Sequence, residues 1–279
     1  MSRAKAFALA LSVVAFALPV TGEERPARVV SMNLCTDQLA MLLAAPGQLI
    51  SVSYLAHRPR ASVMAVEAEK YPANRGLAEE IFLLDPDLVI AGTFTTRATV
   101  SMLKRLGIPV VEFAPASSLG DIQERITQMG EALGQEDAAI ALNARFELDL
   151  EAARSTDERR PSAATYYANS YTSGAGTLAH SVMEAAGLDN IAPSLGISGG
   201  GTLPLERLVL EQPELLITGQ DQGTPSMGEE VFTHPALIAV QEASGAAPIA
   251  DREWICGTPF ITSAIRRLAA ARNTLIEKQ

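Results

Sequence analysis

The sequence predicts an α/β fold with two similar lobes, each built on a parallel, doubly wound sheet, and a cleft between them. Short apolar strands alternate with helical segments over residues 28–113, and the same alternation begins again near residue 163. Between these stretches, residues 121–154 are rich in the helix formers Ala, Leu, Glu and Gln. A third observation is a repeated segment, AEEIFLLDPDLVIAG at 78–92 and LERLVLEQPELLITG at 205–219, which indicates one structural unit present twice.

The N-terminus has the pattern of a cleaved signal peptide at residues 1–22. Arg3 and Lys5 precede the apolar run 6–18, and small residues follow as far as Gly22. The run is shorter than the roughly 20 apolar residues that a membrane-spanning helix needs. No cysteine follows it directly, so we expect an exported mature chain without a lipid anchor.

The first lobe is expected to cover residues 23–133. Its first strand is followed by Asn33 and Thr36, which are residue types that favour the start of a helix. The predicted elements are a strand at 28–32, a helix at 38–45, a strand at 49–54, a mostly irregular stretch at 56–75, a strand at 88–91 after the first repeat helix, a helix at 99–106 and a strand at 108–113.

A linking helix is expected at residues 134–159, and the second lobe at 160–279. The long helix runs from about 136 to 154, after a helix at 122–133. Because a helix is stiffer than a Gly/Ser linker, it favours small hinge motions of the lobes. The second lobe is predicted to contain a strand at 163–168, a Gly-rich loop at 173–176, a helix at 178–186, the second repeat copy, a strand at 248–250 and a helix at 262–276.

Charge and cysteine content argue against two classes of function. The chain carries 32 acidic and 22 basic residues, a net charge of −10, whereas nucleic-acid binding depends on an excess of Lys and Arg. The two cysteines, Cys35 and Cys256, are too few for a thiolate metal centre and form no CxxC motif. In an oxidising compartment they could form a disulfide that ties the two halves of the chain together, or remain reduced, and the sequence leaves both open.

Two motifs suggest enzymatic alternatives. Residues 196–200 match the GxSxG pattern of a hydrolase nucleophile, with Ser198 at the centre and Asp221 and His234 following, so an exported serine hydrolase is the rival hypothesis. A poor strand before Ser198 and a poor helix start after it count against this alternative. Residues 174–179 resemble a dinucleotide-binding loop without a clear acidic partner. The three histidines are widely separated, so we expect no metal centre built from them.

Ligand contacts are expected at the carboxyl ends of the strands, where open parallel sheets bind their ligands. Aromatic rings beside arginines and hydroxyl groups suit a large, partly apolar ligand with acidic edges. Trp254, the single tryptophan, is the strongest aromatic candidate because it follows a polar stretch at 251–253. The candidate ligand-binding residues are Asn33, Cys35, Tyr54, His57, Arg58, Thr93, Phe94 and Arg97 in the first lobe and Tyr171, Arg252 and Trp254 in the second.

The ordered set of segments RVVSMNLCTDQLAMLL, KRLGIPVVEF and the two repeat copies resembles the periplasmic solute-binding proteins of ABC importers for ferric siderophores, haem and cobalamin. The resemblance covers roughly residues 27–275. It implies two Rossmann-like lobes with parallel sheets, joined by a single long helix, with a ligand cleft between the lobes and little domain closure. It also implies a monomeric periplasmic receptor without catalytic activity or cofactor, which delivers a metal chelate to an ABC permease dimer in the inner membrane.

The resemblance gives a role to one glutamate in each repeat copy. Glu79 and Glu206 match the family's permease-docking positions, each seven residues before the proline of its copy. A carboxylate in the first turn of a helix is also favoured by the helix dipole, by about 0.3–1 kcal/mol, whatever its function.

The resemblance leaves the cargo open among three chelates. In cobalamin-binding members, a loop aromatic after the second strand and a late Trp correspond to Tyr54 and Trp254 here. Haem-binding members present a Tyr or His to the iron, a position that Tyr54 or His57 could fill. The arginines that suit an anionic ferric siderophore are Arg58, Arg60 and Arg97.

Overall fold

The computed structural model describes residues 25–219, 227–249 and 251–277. The predicted signal peptide at 1–22 and the candidate hydrolase residue Asp221 lie outside these ranges. Within them, no helix combines the length and the apolar character needed to cross a lipid bilayer.

The first half of the chain forms a parallel sheet with helices between its strands. The strands are β1 (Val29–Ser31), β2 (Leu49–Ser53), β3 (Ala73–Asn74), β4 (Leu88–Gly92) and β5 (Val110–Phe113). The helices are α1 (Leu34–Leu43), α2 (Ala65–Ala68), α3 (Ala78–Leu83), α4 (Arg97–Arg105) and α5 (Leu119–Leu133). In space the strands lie in the order β3-β2-β1-β4-β5, all parallel. Strands β1 and β4 are buried along their whole length, as expected of central parallel strands.

The second half forms another parallel sheet and a small antiparallel ribbon. The strands are β6 (Ser162–Tyr166), β7 (Tyr171–Ser173), β8 (Asp189–Asn190), β9 (Gly200–Thr202), β10 (Leu215–Gly219) and β11 (Gly245–Ile249). The helices are α6 (Glu136–Ala153), α7 (Leu178–Ala185), α8 (Leu205–Glu211), α9 (Pro235–Ala243) and α10 (Ile261–Glu277). The parallel sheet has the order β11-β10-β6-β8, and β7 pairs with β9 in the ribbon.

The two parallel sheets have the same strand order. The set β2-β1-β4-β5 in the first half corresponds to β8-β6-β10-β11 in the second, and β3 is an additional edge strand. The two copies of the repeat occupy equivalent places, because α3 leads into β4 and α8 leads into β10. The predicted fold of two α/β lobes with parallel sheets is confirmed.

In the sequence, helices α5 and α6 come after the last strand of the first sheet and before the first strand of the second. The Ser118 side chain caps α5 by accepting a hydrogen bond from the Asp121 backbone N–H, so the helix begins before the predicted residue 122. It ends at Gly134, whose φ of 63° is the left-handed conformation that glycine adopts most easily. Helix α6 then continues for 18 residues, about 27 Å, and buries Phe146 in an apolar core that contains residues of both halves.

The stretch at 56–75 is more ordered than the sequence predicted, since it contains α2 and β3. Strand β3 has two residues and therefore gives no periodic signal. The buried Asn74 amide fixes it in the sheet by donating hydrogen bonds of 2.9 Å to the Ser31 carbonyl oxygen and to Ser51 Oγ. The Asn74 carbonyl in turn accepts from the Tyr54 N–H, which sets the direction in which the chain leaves β2.

Candidate ligand-binding cleft

A cavity of about 720 Å³ opens beyond the carboxyl end of β2, and its walls come from both halves of the chain. The lining residues are Leu34, Leu55, Arg58, Pro59, Arg60, Ala61 and Ile255. Most of this surface is aliphatic, and two guanidinium groups give it positive charge. Such a cavity can hold a large ligand by apolar contact and orient its acidic groups by charge.

Tyr54 and Arg58 form a stacked pair beside the cavity. The Arg58 guanidinium carbon lies 5.0 Å from the centroid of the Tyr54 ring, within the range of a cation–π interaction. Backbone hydrogen bonds from Ala56 to Ser53 and from Arg58 to Leu55 fold the intervening loop into tight turns. The structure therefore brings two of the predicted ligand residues together, and one of them lines the cavity.

A disulfide bond joins Cys35 to Cys256, with Cα atoms 5.1 Å apart and a sequence separation of 221 residues. It connects the first turn of α1 to the segment that follows β11, next to the cavity residues Leu34 and Ile255. Because the sulfur is bonded, Cys35 has no thiolate to offer a ligand. The cavity lining includes its neighbour Leu34 and does not include Cys35 itself.

Two other predicted residues support the cavity walls without lining them. Asn33 is the N-cap of α1, and its Oδ1 accepts a hydrogen bond of 3.0 Å from the Cys35 N–H. Arg252 Nη1 donates a hydrogen bond of 2.6 Å to the carbonyl oxygen of Pro59, which attaches the cavity loop to the second half of the chain. Both residues therefore hold backbone segments that carry cavity-lining side chains: Asn33 fixes the start of α1 beside Leu34, and Arg252 fixes the loop at Pro59.

Trp254 is not an open wall of the cleft, contrary to the prediction. It is 7% exposed and belongs to the apolar core. Its ring meets Tyr167 edge to face at a centroid distance of 6.3 Å, and Tyr167 lies 6.2 Å from Tyr171. Tyr171 is exposed, so it is the member of this aromatic row that a ligand can reach. The polar stretch 251–253 forms a 3₁₀ turn, and its polarity does not predict whether the next residue, Trp254, is buried or exposed.

A tight turn presents Tyr171 at the start of β7. Asn169 and Ser170 both have a φ of 56°, in the left-handed region that residues other than glycine rarely adopt. The Tyr167 N–H closes the turn with a 2.9 Å hydrogen bond to the Tyr171 carbonyl oxygen. Gly200 packs so closely against the Tyr171 ring that any side chain there would collide with it. Backbone strain of this kind is found preferentially at functional sites.

The four remaining predicted residues do not line the cavity. Thr93, Phe94 and Arg97 are exposed on the segment that leads from β4 into α4. His57 lies in the cavity loop, but its Nε2 is enclosed and has no hydrogen-bond partner among the described residues. An enclosed Nε2 is not presented to a metal in the cleft, which counts against iron coordination through this nitrogen of His57.

A buried carboxyl group lies directly behind the start of the cavity loop. Asp37 on α1 accepts a hydrogen bond from Ser53 Oγ, and Ser53 immediately precedes Tyr54. Burial raises the pKa of Asp37 from 3.8 to about 6, and hydrogen bonds with Ser31 and Ser53 lower it by less. Sequence reasoning missed Asp37 because an acidic residue in the first turn of a helix is ordinarily exposed.

Sequence reasoning also missed part of the aliphatic cavity wall. The missed lining residues are Pro59, Ala61 and Ile255, whereas Leu34 and Leu55 lie in strand-end segments where ligand contacts were expected. A signal existed for Leu34, which directly follows the N-cap Asn33 at a strand end. The position of Ile255 depends on the pairing of Cys256, which the sequence left open.

The serine hydrolase hypothesis is wrong. Ser198 lies between a 3₁₀ turn at Pro193–Leu195 and the short strand β9, so this described stretch has neither a strand leading into the serine nor a helix after it. His234 caps α9, where its Nδ1 accepts a hydrogen bond of 3.1 Å from the Ala236 N–H. Among the described residues, no three His, Cys, Asp or Glu side chains form a cluster suited to a metal ion.

A model of the periplasmic binding protein family matches residues 29–243. The chain belongs to the periplasmic binding protein family. Its members are solute-binding transport proteins and not enzymes. A cobalamin-binding protein of Halobacterium salinarum is 30% identical over 206 residues, which cover 72% of this chain and 56% of that relative. The chain thus spans about half the length of the curated relatives it matches.

Several solved binding proteins share this family's fold. The periplasmic heme-binding protein RhuT from Roseiflexus aligns with a TM-score of 0.74 at 22% identity, covering 89% of this chain and 98% of RhuT. The periplasmic vitamin B12 binding protein BtuF of Vibrio cholerae aligns with a TM-score of 0.68 at 17% identity, covering 91% and 99%. An Fe³⁺-hydroxamate transport protein from Saccharomonospora viridis aligns with a TM-score of 0.65 at 20% identity, covering 89% and 93%. At these identities the likeness shows the fold alone.

Proposed function

We propose that this protein is the periplasmic substrate-binding component of an ABC importer, which captures a metal chelate and delivers it to a permease dimer in the inner membrane. The observation that carries the proposal is a cavity with walls from both lobes, in a chain that belongs to a family of binding proteins. The Tyr54–Arg58 pair lies beside this cavity. A ligand held there touches both lobes, so a partner that contacts both lobes can distinguish the ligand-bound protein from the empty one.

Among metal chelates, a cobalamin-type corrinoid is the cargo that the observations favour. The relative with 30% identity is a cobalamin-binding protein, and the cavity offers the apolar walls that a large macrocycle needs. Arg58 and Arg60 can hold polar or acidic substituents at its edge. The enclosed Nε2 of His57 makes a haem cargo held by histidine less suitable. A ferric siderophore is the second candidate, supported by the same two arginines.

Delivery would depend on one glutamate in each lobe. Glu79 lies in the first turn of α3 and Glu206 in the first turn of α8, and both are exposed. Equivalent positions in two similar lobes suit a partner built from two copies of one subunit, each with a basic residue at the contact. Export through a cleaved signal peptide and action as a monomer complete the proposal.

Calorimetric titration of the purified protein with cyanocobalamin, haemin and ferrichrome tests the cargo. We expect cyanocobalamin to bind with one-to-one stoichiometry, and Arg58→Ala to weaken that binding about tenfold through loss of a charged contact. Arg97→Ala is the matched control, because Arg97 is exposed outside the cavity lining and its removal should leave the affinity within about twofold. Binding of haemin or ferrichrome alone would reject the corrinoid, and binding of none of the three would count against a metal-chelate receptor.

A further inference from the structure

The two copies of the repeat expose a leucine at the same position. Leu83 in the first copy is 82% exposed and Leu210 in the second is 74% exposed. They are the two most exposed leucines among the described residues. A single exposed leucine needs no explanation, but the same exposure in both copies of a duplicated surface points to a shared purpose.

Each exposed leucine lies on the same helix face as the glutamate of its copy. Leu83 follows Glu79 by one helical turn in α3, and Leu210 follows Glu206 by one turn in α8. Residues four apart are neighbours on a helix surface, so each lobe presents a carboxylate beside an apolar side chain. Neither carboxylate has a hydrogen-bond or ion-pair partner within the described part of the chain.

Both helices are held rigidly from the opposite face. Ile81 and Leu208 occupy equivalent positions and are completely buried, which anchors each helix to its lobe. In each copy a residue with positive φ follows the helix, Asp85 at 49° and Gln212 at 44°, and a buried proline comes next. The leucines are therefore carried on well-anchored supports, and their exposure is not the result of a loose segment.

We propose that Leu83 and Leu210 are docking residues, each of which packs into an apolar depression beside a basic residue on one subunit of the two-fold permease dimer. This inference rests on the proposed function and extends the docking surface from a pair of charges to a pair of charge-and-leucine units. The carboxylates specify basic partners, and the duplicated geometry specifies a partner with two equivalent sites. Removing the leucines from water on docking gives affinity that the exposed charges alone supply poorly.

The test measures docking of the cyanocobalamin-loaded protein onto the cobalamin permease dimer of its host, reconstituted in nanodiscs, by surface plasmon resonance. Leu83→Ser and Leu210→Ser should each weaken docking about tenfold, the fold-change that corresponds to about 1.4 kcal/mol, and the double variant should weaken it about 100-fold. Cyanocobalamin affinity and the thermal midpoint should stay at the wild-type values, because neither side chain packs in the core.

Leu148→Ser is the matched control. Leu148 is 70% exposed on α6 and lies outside both repeat copies, so its replacement should leave docking unchanged. Unchanged docking of the double variant would overturn this inference and leave the proposed function standing. Wild-type protein that binds cyanocobalamin yet fails to dock would overturn the proposed function as well. Self-association of the wild type that the double variant loses, measured by sedimentation, would assign the leucines to a contact between copies and reject the permease.

Discussion

The two halves of this protein are alike on one surface and different on another. Helices α3 and α8 carry the same exposed pair, a glutamate and a leucine one turn later, on sheets of the same strand order. At the cavity the halves differ, because the first supplies the loop 55–61 with its arginines and the second supplies Ile255. A duplicated surface suits a symmetric partner, whereas an asymmetric cavity suits a ligand that has no symmetry.

The buried polar groups show the same difference between the halves. The first helix after the first strand of each sheet starts with a capping side chain, Asn33 for α1 and Thr177 for α7. Four residues later the first half has the buried Asp37, while the second has Ser181. The shared cap follows from the shared fold, and the buried acid is particular to the lobe whose loop forms most of the cavity wall.

Among the changes predicted here, removal of the disulfide beside the cleft should have the largest effect on stability, while the duplicated surface stays intact. Because the bridge closes a very long loop, Cys35→Ser/Cys256→Ser should lower the free energy of unfolding by about 4 kcal/mol. Guanidinium titration followed by the fluorescence of the buried Trp254 measures it. Wild-type protein unfolded in dithiothreitol is the control and should match the variant. An unchanged midpoint in the double variant would show that the bridge adds no stability.

Asp37→Asn should change how stability depends on pH. The pKa of Asp37 is about 6 in the folded protein and 3.8 in the unfolded chain, so the folded state binds more protons between these values. Wild-type stability should therefore fall, by about 3 kcal/mol relative to the variant, as the pH rises from about 4 to about 7. Urea titrations across this range measure the difference, and parallel pH profiles would contradict the burial of this carboxyl group.

Asp121 provides a control of opposite sign in the same lobe. Hydrogen bonds from the Ser117 N–H and from Ser118 hold the pKa of Asp121 below its usual value. Its contribution to stability is present above the unfolded pKa and is lost as the pH falls through the folded value. Asp121→Asn should therefore destabilise the protein at neutral pH, and this loss should shrink toward pH 3.

The sequence predicted most of the fold because the strands and helices carry their own periodic signals. The repeat copies gave the position of α3, β4, α8 and β10, since each reads as a helix, a proline and a buried strand. Strand β3 was missed because its place depends on the Asn74 side chain and not on a pattern. The local sequence pattern is therefore sufficient to predict elements that bury a whole face. It is not sufficient to predict an edge strand that one side-chain amide holds in the sheet.

The cleft was less predictable because its walls are tertiary contacts. The polar neighbours of Trp254 suggested an exposed ring, but packing against Tyr167 buries it. Arg58 was predicted as a ligand-binding residue in the loop after the second strand, and the structure places it in the cavity lining, stacked on Tyr54. The aliphatic wall at Ile255 depends on a disulfide between distant residues, which no local pattern can indicate.

The separation of docking surface from ligand cavity is tested most directly by Glu79→Ala/Glu206→Ala in a single comparison with wild type. Cyanocobalamin affinity is measured by calorimetry, and uptake by proteoliposomes that contain the host's cobalamin permease. We expect affinity within about twofold of wild type, because neither carboxylate is among the cavity-lining residues, and uptake reduced by more than about tenfold. Normal uptake, or loss of ligand affinity, would contradict the account.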